Sequence, residues 1–413
     1  MPAVDIPVMR RDRRGTLVPD VRCVVRGRIV AEALMVDSGG VVLLVPGLQS
    51  LVDLLRERGW KVVGPTVRDG AVVHSEIEAV DQLPRGVGDL QAAGSYRLRR
   101  RGDEALFGYV VGPQSWKSLL FPSRELLWSG RRVGAEVEVE PAVVDAPRLA
   151  LFGVRSCDLH AMAIHDRVLA ERAVTDAAYV ARREATFVVA LTCSDPGGTC
   201  FCVSMGTGPV PDEGFDLALT ELLDQDGHRF LVVPGSGRGQ EVLDELSARA
   251  GSDEVISAGE QDHLGAREVG AAAAQRMGRS LDTDGLRDLL YANTEHPQWD
   301  DVASRCLSCT NCTLVCPTCF CTSVDDVSDL TGSTTERWRV WDSCFTTDFS
   351  YLHGGSARTS VQSRYRQWAT HKLASWVDQF GTSGCVGCGR CITWCPAAID
   401  LTAEVAAIRS GKD

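Results

Sequence analysis

Two stretches of this chain place cysteines at identical spacing. Cys306, Cys309, Cys312 and Cys316 precede Pro317, and Cys385, Cys388, Cys391 and Cys395 precede Pro396. Both read C-x-x-C-x-x-C-x-x-x-C-P. Three thiolates so closely spaced reach three corners of one cubane [4Fe-4S] cluster, and the fourth, turned away by its proline, serves the other cluster where two are held together. The expected ligand sets are therefore Cys306, Cys309, Cys312 and Cys395 for one cluster, and Cys385, Cys388, Cys391 and Cys316 for a second. Zinc sites use C-x-x-C pairs separated by a gap, so two uninterrupted runs point away from zinc. The chemistry implied is one-electron transfer.

A second group is more open. Cys157 lies in SCDLH (156–160), and Cys193, Cys200 and Cys202 lie in TCSDPGGTCFC (192–202). Both segments follow continuous apolar runs that read as buried strands, LALFGV (149–154) and TFVVALTC (186–193). If these strands are parallel neighbours, their C-terminal loops meet, where α/β sheets commonly build sites. Pro196, Gly197 and Gly198 let the backbone turn tightly there and aim N–H groups at a cofactor. Four converging cysteines fit a third [4Fe-4S] cluster; a structural zinc or unligated buried thiols are the alternatives.

The other candidates carry less. Cys319, Cys321 and Cys344 are one short of a cubane set and read as core thiols, and Cys23 reads as a small buried hydrophobe. His160 and His165 fall on a helix after Cys157 and read as satisfied histidines. G-S-G-R-G at 235–239 follows a strand but lacks the G-x-G-x-x-G register, so a turn is the better reading than a nucleotide site. No Ser/His/Asp, HExxH or paired-carboxylate pattern appears, and no catalytic residue is assigned.

The elements that must position these cysteines divide in two. Residues 1–255 alternate strand-like runs (21–30, 41–45, 61–64, 71–80, 149–154, 186–193, 229–235) with helix-like ones (51–59, 159–172), giving an α/β body. Residues 256–413 turn helical, with helices over 262–279, 281–294 and 362–381. In the last, Tyr365, Trp368, Leu373, Trp376 and Phe380 form an apolar stripe read as core, and Gly381 ends the helix. The long segment between Pro317 and Gly384 exceeds what a compact ferredoxin needs. The expected fold class is thus α+β: an N-terminal α/β body, then a mainly helical, ferredoxin-like dicluster domain.

At 413 residues, with 44% hydrophobic and 24% charged residues, the composition is that of a globular protein. A net charge of −12 argues against nucleic acid. The basic stretches at Arg10 to Arg14 and Arg97 to Arg101 read as solvated loops or a docking rim. Sixteen cysteines without a membrane span or an export signal point to metal in a cytoplasmic setting, where disulfides are rare.

Several longer phrases carry a resemblance. GVRSCDLHAMAIHDRVL (153–169), TCSDPGGTCFCVSMGTGP (192–209), CLSCTNCTLVCPTCFC (306–321), WRVWDSCF (338–345) and SRYRQWATHKLASWVDQFGTSGCVGCGRCITWCP (363–396) closely resemble the iron–sulfur β subunit of soluble NAD(P)-linked [NiFe] hydrogenases, the sulfhydrogenases. The anaerobic sulfite reductase has an iron–sulfur component of the same family. The similarity runs over roughly residues 110–400 and leaves the first hundred residues open. It implies a non-catalytic electron-transfer subunit without flavin, relaying single electrons between a flavin/NAD(P)-binding subunit and the small and large [NiFe] subunits. It also implies that Cys157, Cys193, Cys200 and Cys202 are ligands. The equivalent subunit of a sulfite or polysulfide reductase, paired with a sirohaem subunit, is the alternative; a redox-silent iron–sulfur scaffold is a third reading.

Overall fold

The apolar runs of the first half assemble one sheet because each central strand is apolar on both faces and must be covered twice. The computed structural model describes residues 9–11, 17–19 and 40–411. Met9–Arg11 and Leu17–Pro19 pair antiparallel as a small unit of their own. The strand expected at 21–30, and Cys23 within it, lie outside the described residues.

Residues 40–411 belong to a single unit. Its main sheet has eight strands in the order Val255–Ser257, Val41–Leu44, Gly227–Pro234, Leu217–Asp224, Phe187–Leu191, Leu149–Arg155, Lys61–Arg68 and Ala71–Glu76. The four strands 61–68, 149–155, 187–191 and 217–224 run parallel; the outer pairings are antiparallel. Phe187, Val189 and Leu191 face one core with the helices Val45–Glu57 and Gly237–Arg249, while Val188 and Ala190 face the other with Ser156–His165. Along the neighbouring strand the alternation slips at Gly153, whose φ of +91° breaks the register between Phe152 and Val154. That backbone region favours glycine, and the resulting bulge re-aims Val154 and Arg155.

The helix Glu260–Gln275, expected to begin the second domain, lies on this sheet, with Ala266 and Val269 against Val42, Leu222 and Leu231. Beyond it the helices Leu286–Ala292, Gln298–Arg305, Val361–Thr370 and Leu401–Ser410 enclose a second core around Trp299, Tyr365, Trp368 and Leu373. The long helix expected at 362–381 is present but broken by a wider π-type turn at His371–Ser375, and Gly381 closes it in the left-handed conformation at φ +69°.

The segment between the cysteine runs is not helical throughout. Thr322–Ser328 and Thr334–Trp341 form a hairpin that pairs with Arg124–Val133, which in turn pairs with Glu136–Pro141. This four-stranded sheet joins the first half of the chain to the second.

Candidate metal centres

The two cysteine runs adopt the same local backbone. Ser308 and Gly387 hold matching left-handed positions (φ +49° and +64°), as do Thr310 and Gly389 (φ +66° and +71°). Each run then enters a four-residue helix, Asn311–Leu314 or Arg390–Thr393. The left-handed residues turn amides inward: Ser308 N–H donates to Cys306 Sγ at 3.4 Å and Gly387 N–H to Cys385 Sγ at 3.5 Å. Asn311 donates to the Trp394 carbonyl, tying one run to the other.

Three cavities are lined by sulfur. The first, about 470 Å³, is bounded by Cys306, Cys309, Cys312 and Cys395, with Cys391 at its edge. The second, about 330 Å³, is bounded by Cys316, Cys385, Cys388 and Cys391. The third, about 470 Å³, is bounded by Cys157, Cys193, Cys200 and Cys202, with Cys388 at its edge. Each expected set of four cysteines lines one cavity, and Cys391 and Cys388 line the first and third cavities in addition. The cavities are neighbours in series, because Cys391 borders the first and second and Cys388 borders the second and third.

The third group forms as the parallel strands require. Arg155 pairs with Leu191, which puts Cys157, in the first turn of the 156–165 helix, beside Cys193 at the end of the neighbouring strand. Cys200 and Cys202 arrive on a loop clamped to the second run, where Phe201 N–H donates to the Gly387 carbonyl at 2.8 Å. A Cβ on Gly387 would stand 2.7 Å from the backbone of Cys202.

The cavity walls carry sulfur and no carboxylate or imidazole, a lining that suits an iron–sulfur group. Four sulfurs around zinc stand about 2.3 Å from it and leave no void. Among the described residues, no three of His, Cys, Asp or Glu converge closely enough to hold one metal ion. Buried donors also lack acceptors at these walls. Tyr365, with an unpaired Oη, lines the first cavity, Trp368 borders the first and second with an unpaired Nε1, and Ser156 and Arg390, with unpaired Oγ and Nε, line the third. Unpaired buried donors are costly, and the sulfides of a [4Fe-4S] cluster accept such bonds. The aromatic stripe read as core is therefore both core and cavity wall.

Burial governs the sulfurs. It pushes the Cys202 and Cys385 thiols up to about 12, and Cys157, Cys200 and Cys391 well above their usual range. Cys316 goes the other way: a hydrogen bond from Cys319, opposed by burial and helped by the Lys372 ammonium, holds its thiol well below the ordinary value. Cys321 and Cys344 form a second such pair, with Cys321 drawn down to about 7 by the bond from Cys344. Cys319, Cys321 and Cys344 line none of the three cavities.

Buried cations are what the sequence reading missed. Lys372 borders the second cavity, and Arg155 and Arg390 border the third. Arg390 is paired to Asp158; Arg155 donates to the carbonyls of Phe107 and Tyr109, both at 2.8 Å. Lys372 had a visible signal: it follows Trp368 by one helical turn, on the apolar stripe, where a lysine is out of place. The histidines stay outside the cavities. His160 Nδ1 lies 3.0 Å from the Ser156 carbonyl, and burial lowers His165 to about 3. At 235–239, Ser236 caps the 237–249 helix through Gly239 N–H, and Arg238 pairs with Asp216.

Comparison with known proteins agrees with this chemistry. The 4Fe-4S dicluster domain family matches residues 305–399, a span that includes both cysteine runs. The chain is 35% identical over 265 residues to sulfhydrogenase 2 subunit beta of Pyrococcus furiosus, covering 64% of this chain and 75% of that protein. Among the described residues, no helix is long and apolar enough to cross a membrane.

Proposed function

The chain belongs to the family of the sulfhydrogenase β subunit and carries a 4Fe-4S dicluster domain, and from that premise we propose that it is the electron-transfer subunit of a soluble, cytoplasmic NAD(P)-reducing [NiFe] hydrogenase. It holds three [4Fe-4S] clusters, two in the dicluster domain and one in the α/β body, and relays single electrons between a flavin/NAD(P) subunit and the small and large [NiFe] subunits. Bound clusters supply reversible one-electron exchange. Cys306, Cys309, Cys312 and Cys395 hold the first, Cys316, Cys385, Cys388 and Cys391 the second, and Cys157, Cys193, Cys200 and Cys202 the third.

One observation carries the reading: the three sulfur-lined cavities stand in series, each neighbouring pair sharing a bordering cysteine. A relay needs stations close together, and a structural scaffold does not. Phe201, Val386 and Trp368 keep water from the middle cavity. Cys309, the one exposed ligand of the first set, marks the end nearest solvent. A hydride donor passes two electrons together, so a flavin on another subunit is needed to separate them.

The test is the set of proteins that copurifies with the full chain from its native host, together with its metal content. Hydrogenase small and large subunits with a flavoprotein, and iron near twelve per chain, are expected. A sirohaem protein in their place would overturn the hydrogenase assignment.

A further inference from the structure

Lys372 brings a positive charge into the middle of the series. Its residue is 4% exposed, held there by the wider turn at 371–375. Nζ donates to Thr318 Oγ1 at 2.9 Å and to the Gly384 carbonyl at 3.4 Å, both neutral acceptors. The ionisable groups around it are the sulfurs of Cys316, Cys319 and Cys385 and the buried amine of Lys117. An ammonium taken out of water costs several kcal/mol, on the order of that of any buried ion, unless an opposite charge offsets it. Among the described residues no carboxylate makes an ion pair with it; an anionic group between Cys316, Cys385, Cys388 and Cys391 would serve instead. The first cavity has no lysine or arginine in its wall.

We propose that Lys372 is a positioning residue that raises the reduction potential of the cluster held by Cys316, Cys385, Cys388 and Cys391. The inference rests on the ligand reading given above. Its basis is electrostatic. One-electron reduction adds a negative charge to the cluster, and a fixed cation in low dielectric favours the more negative state. The middle station then holds an electron more readily than it would without the cation.

The test is a redox titration of the complete, iron-loaded chain followed by electron paramagnetic resonance, for the wild type, Lys372→Met and Lys372→Gln. The expected result is a negative shift of one cluster by at least tenfold in its reduced-to-oxidised ratio at fixed poise, about 59 mV for one electron, with the first cluster's potential and the iron content unchanged. An unchanged potential at full iron overturns the proposal. Loss of about four irons in both variants overturns it too, since Lys372 would then hold the site together rather than tune it. A wild-type chain with fewer than about eight irons would instead refute the ligand reading itself, and this inference with it.

Discussion

Arg390 and Asp158 face each other through two parallel hydrogen bonds of 2.8 and 2.9 Å, with both side chains almost wholly buried. Arg390 lies between Cys388 and Cys391, and Asp158 follows Cys157, so the pair bolts the second cysteine run to the helix behind the third cavity. Removing one partner strands a buried charge, which typically costs about 3–5 kcal/mol, whereas removing both costs less. Asp158→Asn should therefore lower the midpoint of thermal unfolding more than the double variant Asp158→Asn with Arg390→Met. Equal losses in the two proteins would mean that the pair contributes little beyond packing.

Metal analysis addresses the number of clusters. Three cubanes bring about twelve irons, two bring about eight. Cys193→Ala should remove about four irons and leave the spectra of the other clusters intact. A wild-type chain with about eight irons and one zinc would assign the third cavity to zinc.

Crossed ligation predicts an asymmetry within one cysteine run. Cys309→Ala should erase the signal of the first cluster and Cys316→Ala that of the second, because Cys316 borders the second cavity and not the first. Loss of the same signal in both variants would rule out the crossing. Either change also weakens folding, as metal ligands contribute to it directly.

Two glycines separate backbone strain from crowding. Gly70 and Gly387 share left-handed φ values of +76° and +64°, but a Cβ on Gly70 meets nothing within 4 Å, whereas one on Gly387 meets the backbone of Cys202. Gly70→Ala should cost about 1–3 kcal/mol by thermal or denaturant unfolding. Gly387→Ala should cost clearly more and lower iron occupancy of the second and third sites.

The purified chain should neither oxidise NAD(P)H nor evolve hydrogen. Adding a flavoprotein partner should allow NAD(P)H to bleach the clusters' visible absorbance. NADH oxidation by the isolated chain, with tightly bound flavin, would contradict the relay assignment.

Much of the site is legible from spacing alone, because a cubane demands three closely spaced ligands and a distant fourth, and few other uses of cysteine share that demand. The third group was legible through the strands: 149–154 and 186–193 are apolar at nearly every position, so they are covered on both faces, and parallel neighbours bring Cys157 and Cys193 together. The four-stranded sheet was not. Glu136–Pro141 is a strand exposed along its whole length, so its alternation marks no buried face, and the pairing that completes the sheet joins Arg124–Val133 to Thr334–Trp341, far along the chain. The buried cations escaped for a related reason. Lys372 stands out only by its place on an apolar stripe, and Arg155 ends a strand whose register depends on the bulge at Gly153. Family membership, by contrast, was carried by whole phrases, and the comparison with the Pyrococcus furiosus protein bears it out.

The sheet that pairs Arg124–Val133 with Thr334–Trp341 also bears on how the molecule is made. On the ribosome the earlier strand emerges long before its partner and presents an open edge in the interval, a known hazard for edge-to-edge association. The third cavity likewise lacks part of its wall until Cys388 and Arg390 are synthesised. The wall of the amino-terminal site is therefore complete only once the last cysteine run has folded against it.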